Sequence, residues 1–72
     1  MEPEDWIARF AEQLGVDAPD RATIEVLLEL AGVAAHASHR TAAPIACYLV
    51  GRAGADPAEA RTRAGLVAPP EA

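Results

Sequence analysis

The chain has 72 residues, 51% hydrophobic but only 4% aromatic, with a single cysteine and a formal net charge of −5. A chain this short has room for one domain and one core, a lone Cys47 cannot build a disulfide framework, and the acidic balance works against attraction to phosphate backbones. No apolar run approaches the roughly 18 residues of a membrane span, and neither a basic leader nor an apolar signal core opens the chain, so a cytoplasmic address is expected.

The apolar fraction is carried by Ala, Leu and Val, which suits close helix packing better than sheets. The expected fold is all-α: a compact bundle of three main helices plus a short fourth, with short loops. One domain is expected over residues 1–72, ordered from about 3 to 67 and flexible in the tail at 68–72.

The first helix is expected from Pro3 to Leu14, because Pro suits a first turn and Glu4 and Asp5 complement the positive end of the helix dipole. Trp6, Phe10 and Leu14 recur every fourth residue with Ile7 and Ala11 beside them, forming one apolar stripe. Gly15 supplies a left-handed stop. Asp17, Pro19 and Asp20 mark a loop, after which either Asp20 or Thr23 can cap the second helix.

That helix, about Arg21 to Ala37, is apolar on nearly every side, the mark of a central element. Ile24, Leu27, Leu28 and Ala31 share one face, and Val26, Leu30 and Val33 another, while Glu25, Glu29, Gly32 and His36 form a narrow polar stripe. Thr41, three residues before Pro44, is positioned to cap a third helix that ends near Gly51 to Gly54. Ile45, Tyr48, Leu49 and Arg52 lie on one side of it, and Ala46, Val50 and Ala53 offer a small-residue face for close approach. Asp56, Pro57 and Glu59 have the pattern of a capping box for a short fourth helix reaching Ala64 or Leu66.

Charge is unevenly distributed. Residues 1–29 hold eight acids and two arginines, whereas residues 30–55 hold Arg40 and Arg52 and no acid. With His36 and His39, this middle third is the only locally electropositive stretch. His36, His39, Arg40 and Thr41 lead into the start of the third helix, where free backbone N–H groups, a guanidinium and a hydroxyl make a candidate anion site.

Trp6, Phe10 and Tyr48 are the candidate interaction surface. No metal is expected: His36, His39 and Cys47 lack the paired spacing of a zinc site. No catalytic residue is expected either, because Cys47 has no base beside it and Glu25 and Glu29 read as solvated carboxylates on a helix face.

His36, Arg40, Ala42-Ala43-Pro44, Tyr48-Leu49 and Gly51 together resemble an uncharacterised small actinobacterial helical domain family, as do Leu27-Leu28-Glu29-Leu30-Ala31, Trp6 and Leu14-Gly15-Val16. The likeness covers residues 6 to 67. It implies a domain that stands alone or lies C-terminal to a molybdenum cofactor guanylyltransferase-like nucleotidyltransferase. Four positions depart from the pattern: His39 replaces an acid, Thr41 a proline, and Gly32-Val33 a charged pair. No Gly-rich phosphate loop is present, so guanylyl transfer does not carry over to this chain.

The function expected is that of a non-enzymatic accessory or protein-interaction domain, linked by the resemblance to molybdenum cofactor biosynthesis, with a protein partner and no cofactor, nucleic acid or membrane. The competing expectation is a self-associating structural module, a homodimer, since a core this small gains from a partner surface. A helix-turn-helix-like DNA binder is opposed by the acidic balance, and a cofactor-free hydrolase or transferase by the lack of a nucleophile beside a base.

Overall fold

The computed structural model of the chain describes residues 1–67, so the tail expected to be flexible lies outside the described residues. It is an all-α bundle: α1 (Pro3–Leu14), α2 (Arg21–Ala37), α3 (Ala42–Ala53) and the short α4 (Pro57–Ala64). Short loops join them, within the lengths usual for helical bundles.

Local punctuation explains most of the boundaries. α1 begins at Pro3 with Glu4 and Asp5 in its first turn. It ends where Gly15 turns left-handed at φ 74° and the Val16 N–H reaches back to the Ala11 carbonyl at 3.0 Å, a closure that a residue without Cβ makes at least cost. Gly15→Ala is expected to destabilise the domain by about 1 kcal/mol. By contrast, Gly51 is helical with open space around its Cα, so Gly51→Ala is expected to stabilise by about 0.5–1 kcal/mol. Thermal melts of the two variants check both signs.

Of the two caps open for α2, Asp20 takes the role, its carboxylate accepting from the Thr23 N–H at 2.8 Å. That hydrogen bond favours the charged form and lowers the carboxyl below its ordinary value of 3.8. The Asp20 contribution is therefore present above pH 3.8 and is lost as pH falls through the lower folded value. Asp20→Ala is expected to melt below the parent at neutral pH, with the difference closing in strong acid.

Two other caps differ from the sequence expectation. Thr41 is right-handed helical itself and makes no side-chain cap to α3; its hydroxyl and N–H both meet His39 Nδ1, at 3.1 and 3.3 Å. The capping box at α4 is half formed. Asp56 accepts from the Glu59 N–H at 3.1 Å, but the Glu59 carboxylate turns forward to Arg63 at 2.8 Å instead of back to the cap.

Side-chain pairings give the directions of the helices. Cys47 of α3 lies against the Leu27 carbonyl of α2 at 4.0 Å, while Arg61 of α4 donates to Glu29 of α2 at 3.1 Å. Ala22 and Pro57, near the starts of α2 and α4, line one hollow. α4 thus runs parallel to α2 and α3 antiparallel to both. α2 packs closely on each of them, using Ala43, Ala46, Cys47 and Val50 as the small inner face of α3. Leu30, on the side of α2 between its two neighbours, is only 2% exposed.

α2 is central to this three-helix unit, but α1 does not wrap it. Glu4 of α1 reaches Arg21 at the foot of α2, 3.4 Å away, and the loop at 15–20 doubles back to allow this. α1 makes no close packing with α2, α3 or α4 comparable to that between α2 and its two neighbours. Leu28, expected on a buried face with Leu27, is exposed, because it borders the Glu25–Gly32 stripe on the side of α2 that neither α3 nor α4 covers. The bundle measures 41 × 24 × 19 Å.

Candidate functional site

Because α3 and α4 both pack on α2 but not closely on each other, a cleft opens between them at the end of the bundle far from α1. Val33 and Ala37 form its floor, Ile45 and Leu49 of α3 one wall, and Ala64 and Val67 the other; its volume is about 530 Å³. Ile45 is 60% exposed and Leu49 57%. Among the described residues, the polar lining comes from Ser38 and Thr41, in the α2–α3 turn at one lip.

Ile45 and Leu49 share one side of α3, as their spacing predicts, but the cleft they wall is not among the sequence expectations. The signal is present in their i, i+4 spacing with Ala42 and Ala46 beside them, an apolar stripe wider than one packing face requires. Its width matters because α3 has one face against α2 and a second, also apolar, turned toward the gap.

At the other end of the molecule, α1 carries the second apolar surface. Trp6 and Phe10 stack with ring centroids 5.1 Å apart and planes tilted by 31°, and with Leu14 they form an outward ridge, Trp6 being 55% exposed. Ile7 and Ala11 turn inward. Tyr48, grouped with Trp6 and Phe10 in the sequence reading, is exposed on α3 and lines neither the cleft nor the α1 ridge.

Of the cationic corner, Thr41 lines the cleft. His36, His39, Arg40 and Thr41 are all exposed, and among the described residues no carboxylate pairs with Arg40. The geometry does not form the anion cradle expected here. The Ala42 N–H is bonded to the His39 carbonyl at 2.8 Å and the Ala43 N–H to the Arg40 carbonyl at 3.1 Å. Pro44 has no N–H, and the Thr41 N–H is taken by His39 Nδ1. With its first-turn donors satisfied by the preceding turn, the α3 start has none left for a phosphate.

The other candidates have ordinary surroundings. Cys47 is half-buried against α2 with the Leu27 carbonyl as its polar neighbour. Glu29 is engaged by Arg61 and Glu25 is exposed. Among the described residues no group of three or more His, Cys, Asp or Glu side chains could hold a metal ion, and no helix is long and apolar enough to cross a membrane.

A family profile described as "Domain of unknown function (DUF6457)" matches residues 2–69. The chain belongs to this family. The matched span takes in all four helices, so both the α1 ridge and the cleft lie within the family domain. No curated protein and no solved structure matches the chain.

Proposed function

We propose that the domain is a non-enzymatic accessory module that acts through protein contacts, with the α3/α4 cleft and the Trp6–Phe10 ridge as its working surfaces. The supporting observation is exposed area. Eleven large hydrophobic side chains among the described residues are exposed, with Trp6, Phe10 and Leu14 together on α1 and Ile45 and Leu49 together at the cleft. Exposed apolar clusters of this kind mark interaction sites.

A protein partner suits the cleft better than a small polar molecule, which needs several placed polar groups to orient it and would find only the Ser38 and Thr41 hydroxyls. An accessory role beside molybdenum cofactor nucleotidyltransferases is the finer reading, supported by the sequence resemblance at His36 to Gly51. Catalysis by the domain itself finds no support in a nucleophile placed beside a base.

Photo-crosslinking in the native cell tests the proposal. A crosslinking residue at position 45 or 10 is expected to give discrete protein adducts, and one at position 25, on the exposed polar stripe, is not. Equal and negligible yield at all three positions would refute an interaction role.

A further inference from the structure

We infer that the two apolar surfaces are made for each other across two copies of the chain: the α1 ridge of one copy seats in the α3/α4 cleft of a second, and the exchange is reciprocal. This rests on the interaction reading above and names its partner. Within one chain the two surfaces cannot meet as folded. Glu4 pairs with Arg21 at the foot of α2, while the cleft floor begins at Val33, twelve residues and about 18 Å further along the helix.

Charge favours a second copy as the occupant. Two reciprocal seats related by a twofold axis bury the ridge and the cleft of both copies and leave no open end. The ridge helix is acidic, with Glu2, Glu4, Asp5 and Glu12 against Arg9, whereas the segment bearing the cleft floor and one wall, residues 30–55, has no acid and carries Arg40 and Arg52. On the other wall helix, Arg61 and Arg63 already hold Glu29 and Glu59, so among the described residues Arg40 and Arg52 are the cations of these two stretches left to meet an acidic helix.

Sedimentation equilibrium of the full chain tests this. A species of about twice the 7.5 kDa chain mass is expected at high micromolar concentration. Phe10→Glu, which spoils the ridge, and Ile45→Glu, which spoils the cleft, are each expected to sediment as monomers with helical circular dichroism retained. Mixing the two variants restores one sound ridge opposite one sound cleft, and a heterodimer is expected to reappear. Arg40→Glu is expected to raise the dissociation constant roughly 2–5-fold, an effect that shrinks with added salt.

A parent chain that stays monomeric near millimolar concentration overturns the inference whatever the variants do. So does a dimer that survives either glutamate, an assembly that grows beyond two copies, or a variant mixture that stays monomeric. A monomeric result leaves the interaction reading standing if position 45 still crosslinks to a protein of different mass, so the two ideas fail separately.

Discussion

Leu30→Ala is expected to leave the monomeric domain largely unfolded at 25 °C. Among the described residues Leu30 is the one large side chain that is fully enclosed, at 2% exposure, and it lies one turn below the cleft floor, where α2 meets both α3 and α4. Truncating a buried leucine costs about 2–5 kcal/mol through lost transfer free energy and the cavity left behind. A core of this size supplies only roughly 3–5 kcal/mol in total. Leu30→Met, which nearly conserves volume, is expected to remain folded at a cost below about 1.5 kcal/mol. Circular dichroism melts of the two variants at low concentration check the result. A cooperative Leu30→Ala melt within a few degrees of the parent would mean that the stabilising core lies elsewhere.

The melting temperature of the parent is expected to rise with protein concentration. If folding is completed by a second copy, mass action adds about 2.7 kcal/mol per dimer for each hundred-fold increase in concentration. Two chains of 72 residues unfold with about 0.3 kcal/mol/K of entropy, so the midpoint should move by roughly 10 °C over that range. Phe10→Glu is expected to remove the dependence, and its melt should match that of the parent at high dilution. A parent midpoint that does not move with concentration contradicts a stabilising partnership between copies.

The helix boundaries were legible because backbone punctuation is local chemistry. Pro3, Gly15, Asp20, Gly54 and the Asp56-Pro57 pair each act through a dihedral or a hydrogen bond within a few residues of themselves, and five of the eight helix ends followed from them. The start of α3 differs at Thr41. A hydroxyl three residues before a first-turn proline reads as a cap, but His39 is two residues away, and its Nδ1 engages both Thr41 groups.

What covers each apolar face was not legible, because periodicity shows that a stripe is apolar and not what meets it. The Ile45/Leu49 stripe and the Trp6/Phe10/Leu14 stripe have the same spacing as a buried core face. Only the placement of α1 at the foot of α2, and of α4 beside it, shows that both are left open. The same placement changes the meaning of the cationic corner. His36 to Thr41 was singled out for a deficit of acids that the sequence does display, but the α3 start has spent its N–H donors. The charge is then left to long-range attraction of an acidic partner, the role the dimer proposal gives it.

Trp6 is the only tryptophan, it lies on the α1 ridge, and α1 packs closely on no part of its own α3, so its fluorescence reports the proposed contact with no added label. The central claim predicts blue-shifted, quencher-protected Trp6 emission in concentrated parent protein, and a shift to the red on dilution. Ile45→Glu, on the far cleft of the molecule, should show the red-shifted spectrum at every concentration. Trp6 emission that ignores both dilution and the Ile45 substitution would contradict the seating of one copy's ridge in the other copy's cleft.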